Sequence, residues 1–167
     1  MVLTLLRHAA PSAEYHGRTI GHTDIPIDPR LFGSAALSRS YDVIYSSDLI
    51  RCTQTLEHLG YTDIITDPRL REVAFKEHFE GKSFEEIERM EEYDPCFLES
   101  QESWHTFICE ESIEHFRRRI ETFLEELPLD QNILICSHAG TIREILSLLK
   151  SEPKGLGYLE YTIVTVK

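Results

Sequence analysis

The stretch Val2-Leu3-Thr4-Leu5-Leu6-Arg7-His8 is a short apolar run that stops on a cation and an imidazole. Such a run reads as a buried strand. Open α/β sheets place their ligand crevice at the carboxyl ends of strands. Arg7 and His8 are therefore either the first solvated residues of a loop or a strand end turned into a site. These residues alone favour the loop reading, because adjacent Arg and His are common, so the rest of the chain has to decide.

The 167 residues suit one domain over 1–167, long enough to bury a proper core. With hydrophobic residues at 41% and charged residues at 28%, the chain has an ordinary globular composition. Its net charge of −12 argues against a broad basic surface, and so against nucleic acid or anionic membrane as partner. A few clustered arginines in so acidic a chain would hold an anion locally. Cys52, Cys96, Cys109 and Cys136 form no close pair. Buried free thiols in the reducing cytoplasm are the expectation, with no zinc-ribbon or redox signature. The chain opens without a basic leader and cleavage site, and no segment approaches the roughly 20 apolar residues of a membrane span.

After His8 a polar loop runs to Asp24. Within it, Gly17-Arg18-Thr19-Ile20-Gly21-His22-Thr23-Asp24-Ile25-Pro26 places two glycines four apart. That spacing fits either a plain surface turn or backbone N–H groups exposed to an anion. His8, His16 and His22 are too irregularly spaced, and too short of Cys or Asp partners, for a zinc site.

Leu31–Ser40 is expected to form a helical turn or two. Val43–Ser46 reads as a strand, and Ser46-Ser47-Asp48 as N-cap chemistry for a helix to about His58, closed by Gly60. Arg51 sits in the first turn of that helix, against its dipole, which costs on the order of a few tenths of a kcal/mol unless it reaches an anion.

Ile64–Thr66 is a short strand. Ser83-Phe84-Glu85-Glu86 is a capping box opening a helix to about Tyr93. Asp94–Cys109 has no clean period, and its Trp104 reads as satellite core or pocket cover. Glu111–Leu127 is the clearest helix, with Ile113, Phe116, Ile120, Phe123, Leu124 and Leu127 on one face. Ile133–Cys136 is a fully apolar, central strand that ends in Ser137-His138, with a helix following to about Lys150. Leu159–Val166 is a final strand. Alternating strands and helices imply an α/β fold, a three-layer α/β/α sandwich around a mostly parallel central sheet.

Two strand ends thus present histidines, one helix start presents Arg51, and Glu72 follows another strand. If they converge, two guanidiniums grip a tetrahedral dianion through charge-assisted hydrogen bonds. An imidazole attacks phosphorus, a carboxyl protonates the leaving oxygen, and the arginines with a protonated second histidine stabilise equatorial charge in place of magnesium.

Four blocks in order resemble the histidine phosphatase (phosphoglycerate mutase-like) superfamily: Leu6-Arg7-His8; Ser46-Ser47-Asp48-Leu49-Ile50-Arg51-Cys52-Thr53-Gln54-Thr55; Leu70-Arg71-Glu72-Val73 with Glu80-Gly81; and Ser137-His138-Ala139-Gly140-Thr141-Ile142-Arg143. The resemblance implies that His8 is a phosphohistidine-forming nucleophile and Glu72 the proton donor. It implies that Arg7, Arg51 and His138 hold the phosphoryl group, with backbone N–H groups near Ala139 and Gly140 adding to the pocket. No metal or other cofactor is expected, and the partner is a small phosphorylated substrate. Gly21, His22 and Ala139 match positions that approach substrate in relatives.

Ala9 and Ala139 replace family glycines. The segment Pro29–Ser40 and the C-terminus are both short, which favours a phosphatase over a phosphoglycerate-type mutase. The Gly17–Pro26 pattern is similar to the α-ribazole phosphatase branch. A non-catalytic phospho-ligand binding module is the remaining alternative. A neutral His8 with a protonated Glu72 predicts a bell-shaped pH profile.

Overall fold

The computed structural model describes residues 1–37 and 40–166. The opening run forms strand β1 (Val2–Arg7), with Leu3, Leu5 and Leu6 wholly buried. The next strands are β2 (Val43–Ser46) and β3 (Ile64–Thr66), followed by β4 (Asn132–Ser137) and β5 (Tyr161–Thr165). They make one sheet in the order β3-β2-β4-β1-β5, parallel except for the antiparallel edge strand β5. The central place of β4 explains its uninterrupted apolar sequence, since both of its faces are covered.

The pleat divides these strands between two layers. Leu6, Leu134 and Cys136 pack against Cys52 and Leu56 of helix α1 (Ile50–His58). On the other face, Leu3, Leu5, Ile133 and Ile135 meet two further helices. These are α4 (Ile113–Glu125), through Phe116, Ile120 and Phe123, and α5 (Ala139–Leu148), through Ile142, Ile145 and Leu146. Two shorter helices, α2 (Phe84–Glu88) and α3 (Gln101–Ile108), lie between β3 and α4 in the chain and extend that layer through Ile87, Phe107 and Ile108. The expected three-layer α/β architecture is thus present. Among the described residues, no helix is long and apolar enough to cross a membrane.

Register decides where the chemistry falls. In the β1–β4 pair Arg7 lies opposite Ser137, and the His8 N–H donates to Ser137 O at 3.0 Å. His8 and His138 therefore leave the sheet side by side, although they are remote in sequence. A one-residue slip would send every side chain of β1 to the wrong face.

Several local expectations change. Helix α1 starts later than its serines suggest, with Leu49 at the N-cap and no side-chain cap of its own. Asp24, from the preceding loop, accepts the Ile50 N–H at 2.7 Å, and Ser47 Oγ accepts from Leu49 N–H at 3.3 Å. The Ser83–Glu86 capping box forms, but α2 stops at Glu88 and turns carry the chain to Tyr93, with Met90 and Tyr93 still packed against the core. Asp94–Cys109 contains α3, whose cap is Ser100 accepting from Ser103 N–H. Leu31–Ser40 forms no helix where it is described. Pro29–Leu31 is a 3-10 turn capped by Asp28, and Phe32, Ala35 and Leu37 pack one by one against the α1 face. Ser38 and Arg39 lie outside the described residues. Cys96 is exposed rather than buried, on the turn Pro95–Leu98.

The remote cap is testable. Asp24→Ala should lower stability by about 1 kcal/mol, the usual value of an N-terminal helix acceptor. Urea unfolding should show an earlier midpoint with an unchanged slope.

Candidate active site

His8 is 6% exposed, and its Nδ1 lies 2.7 Å from Ala9 O. A carbonyl only accepts, so Nδ1 carries the proton and Nε2 keeps its lone pair. Burial, then the positive charges of Arg51 and Arg7, lower its pKa to about 3 against the smaller upward pull of the Ala9 bond. His8 is therefore a neutral imidazole, and its Nε2 has no hydrogen-bond partner among the described residues.

The His138 ring lies 5.1 Å from that of His8, centroid to centroid. Its Nδ1 accepts from Arg51 Nε at 3.3 Å, which leaves the proton on Nε2, 2.9 Å from Ser47 Oγ and 3.5 Å from Cys52 Sγ. Burial, with Arg51 and His8 beside it, pushes its pKa well below the usual value. The expected protonated second histidine is thus corrected: in this structure His138 is held neutral.

Arg51 is 1% exposed. Nη1 donates to Thr23 O at 2.9 Å and Nη2 to Gly21 O at 2.7 Å. Gly21 is sterically required, because a Cβ there would fall 2.6 Å from Val73 O and 2.9 Å from the Phe75 ring. The Gly21 and Thr23 N–H groups donate to Glu80 Oε1 at 2.8 and 3.2 Å. The glycine loop is therefore an anion-binding turn, and the anion is the protein's own Glu80. Exposed His22 donates from Nε2 to Glu72 O at 2.9 Å. Gly21 and His22 thus support the walls of the site from behind and do not line it.

Glu72 sits on the amino end of α5. Oε2 accepts from Gly140 N–H at 2.9 Å, and Oε1 accepts from Val73 N–H at 3.0 Å and Thr141 N–H at 3.2 Å. The Gly140 N–H expected to face phosphate is thus committed to Glu72. A Cβ at Gly140 would collide with Glu72 Oε1, so this glycine cannot be replaced without moving the carboxylate. Behind Glu72, Arg119 donates to Arg71 O and Glu72 O at 2.9 and 3.0 Å and pairs with Glu111.

Ala9 is accommodated because its methyl lies in the α1-side core and its N–H donates to Thr55 Oγ1 at 2.8 Å. Thr55 in turn donates to Arg51 O at 2.6 Å. Arg7 donates from Nη1 to Leu156 O at 2.7 Å, with its guanidinium 4.1 Å over the Tyr158 ring.

Arg7, His8, Arg51, Glu72, His138 and Ala139 converge on one cavity of about 210 Å³. Arg18, Phe75 and Tyr158 also line it and escaped the sequence reading. Arg18 followed a glycine in a polar loop, and Tyr158 had no periodic signal around it. Arg18 is neutralised by Glu86 at 2.5 Å. Among the described residues, no group of three His, Cys, Asp or Glu side chains is placed to hold a metal ion.

The neutral histidines make stability pH-dependent. His8 binds a proton in the unfolded chain below its ordinary 6.5 but resists it in the fold to about 3, so stability is full above 6.5 and falls as pH drops between those values. From about pH 7 to about pH 5 the loss through His8 should be about 2 kcal/mol. His8→Asn should lose correspondingly less over that interval in urea unfolding. A second variant, Gly140→Ala, should fold but lose activity by displacing Glu72, as read by enzyme assay beside a thermal melt.

The comparisons with known proteins give the family. The family model described as "Histidine phosphatase superfamily (branch 1)" matches residues 3–164. A Hydrogenobacter thermophilus protein provisionally named phosphoserine phosphatase 2 is 35% identical over 161 residues, 88% of this chain and 77% of that one. The crystal structure of a phosphoglycerate mutase from Thermus thermophilus matches with a TM-score of 0.71 and 28% identity, covering 98% of this chain and 92% of that one. A phosphoserine phosphatase from Entamoeba histolytica, solved with 3-phosphoglyceric acid, matches with a TM-score of 0.72 and 26% identity, over 97% and 89% of the two chains. With the family model matched over residues 3–164 and a relative at 35% identity, the chain belongs to the histidine phosphatase superfamily as a phosphatase-type enzyme.

Proposed function

We propose that this protein is a metal-independent phosphomonoesterase that works through a phosphohistidine on His8. The observation that carries this reading is the neutral His8, its Nε2 lone pair unengaged among the described residues, in a cavity also lined by Arg7, Arg51 and Glu72. His8 Nε2 attacks phosphorus as the bond to the leaving oxygen breaks, and protonated Glu72 gives that oxygen its proton. Water then attacks the phosphohistidine, Glu72 takes the water's proton, and the P–N bond breaks to release phosphate. Arg7 and Arg51 supply fixed positive charge for the equatorial oxygens, the part a divalent cation plays elsewhere. An arriving dianion also opposes the arginine charges that keep His138 neutral, so His138 can gain a proton with the substrate in place. Its buried free thiols suit the reducing cytoplasm.

A cavity of about 210 Å³ suits a small phosphorylated metabolite. Phosphoserine, from the names of relatives, and α-ribazole phosphate, from the Gly17–Pro26 pattern, are the two substrates to compare.

Wild-type protein should hydrolyse p-nitrophenyl phosphate in EDTA, and His8→Ala should lose about a thousandfold or more. An inactive wild type or an active His8→Ala would overturn the reading. Glu72→Gln should lose about 10²–10⁴-fold on an alkyl phosphate and far less on p-nitrophenyl phosphate, whose leaving group needs no proton. Because His8 stays neutral to about pH 3, kcat/KM should show no loss from that group across mildly acidic pH. Transfer of phosphate to a second hydroxyl in preference to water would mark a mutase instead.

A further inference from the structure

Tyr158 lies in the irregular segment between α5 and β5, and three contacts pin that segment to the end of β1. Arg7 N–H donates to Glu160 O at 3.0 Å, Leu159 N–H donates to His8 O at 3.2 Å, and Arg7 Nη1 donates to Leu156 O at 2.7 Å. A turn within the segment is closed by Gly157 N–H on Glu160 Oε2 at 2.8 Å. Between these ties the Tyr158 ring packs 4.1 Å from the Arg7 guanidinium, 5.6 Å from the His8 ring and 5.1 Å from the His16 ring. His16 is itself fixed by its Nε2–H on Pro11 O at 2.9 Å. Tyr158 is thus held on both sides, with the nucleophile and its neighbouring cation on one of them.

The state of Arg7 gives this arrangement a purpose. A guanidinium has five N–H donors, and Arg7 makes one side-chain hydrogen bond among the described residues, to Leu156. Its Nε is buried with no partner among them. No carboxylate of the described residues pairs with it, in contrast to Arg18, Arg69, Arg71 and Arg119. Something other than an ion pair must hold this long side chain in one orientation, and the Tyr158 face is placed to do so. An aromatic platform orients a cation without consuming its N–H donors, whereas a carboxylate would occupy the donors that an anion needs.

We propose that Tyr158 is the positioning residue for Arg7, fixing the plane of its guanidinium so that the unused donors are ready for the phosphoryl group. The proposal rests on the reading of this cavity as a phosphate site and adds a residue outside the four motif blocks. The Tyr158 hydroxyl makes no hydrogen bond among the described residues, so the ring face rather than the phenol does this work. Removing the ring leaves the order of Arg7 to be created when the anion binds, and the cost appears as weaker phosphate binding.

The test is a double-mutant cycle on binding of inorganic phosphate, followed by ³¹P NMR titration, which reads millimolar as well as micromolar affinity. Tyr158→Phe should bind within about twofold of wild type. Tyr158→Leu, which keeps bulk but removes the aromatic face, should bind about tenfold more weakly. In an Arg7→Ala background Tyr158→Leu should have no further effect, because its partner is gone. Wild-type affinity in Tyr158→Leu, or an equal weakening with and without Arg7, would overturn the proposal. A wild-type protein that binds phosphate but hydrolyses no phosphoester would sink the phosphatase reading while the cycle still decides the role of Tyr158.

Discussion

The structure depends on the parallel pairing of β1 with β4 at a single register. Burial on both faces of β4 leaves that register no freedom, because any slip would carry Leu3 and Leu5 away from α4 and α5. The consequence lies one residue beyond the sheet, where His8 and His138 emerge with ring centroids 5.1 Å apart. The hydrophobic core thereby sets the two imidazoles side by side, and no separate device has to bring them together.

Both rings then share one electrostatic environment. Arg51 is desolvated between them and the Gly21–Thr23 loop, with carbonyl oxygens satisfying its terminal nitrogens. Burial first, and the charge of Arg51 second, hold both imidazoles neutral, while Glu72, Asp24 and Glu80 offset part of the cost of burying Arg51. On the proposed reading, the same positive charge favours a dianion, so the unfavourable part of the free site would become favourable once phosphate enters. Loss of stability at low pH and the proposed affinity for phosphate would therefore be two consequences of one arrangement.

Much of this was legible in the sequence, and the reasons differ by residue. Apolar runs marked β1 and β4, and the face of α4 marked a helix, because burial leaves a periodic trace. Arg7, His8, Arg51, Glu72 and His138 stood out through their ordered blocks, and all five meet at the cavity. Long-range contacts left no such trace. The cap of α1 comes from Asp24, a residue that reads locally as a loop aspartate. The eight-residue helix α3 has too short a buried stripe, centred on Phe107 and Ile108, for a clear period. The protonation state of His138 follows from its burial beside Arg51, which only three-dimensional packing creates.

The two departures from the family's glycines show how the same framework tolerates change. At Ala9 the methyl joins Leu6, Cys52 and Leu56 in the core, while the amide is committed to Thr55 and through it to the Arg51 carbonyl. The added carbon therefore faces the core, and Ala9 does not line the cavity. Ala139 does line the cavity, yet the next residue, Gly140, is the one whose missing Cβ makes room for the Glu72 carboxylate. The strict steric demand in that block falls on Gly140, not on its neighbour. A glycine at position 139 would add backbone freedom at the first residue of α5, where the helix must stay rigid to hold Glu72. An alanine there fits both the helix and the cavity, so the substitution is consistent with an intact site.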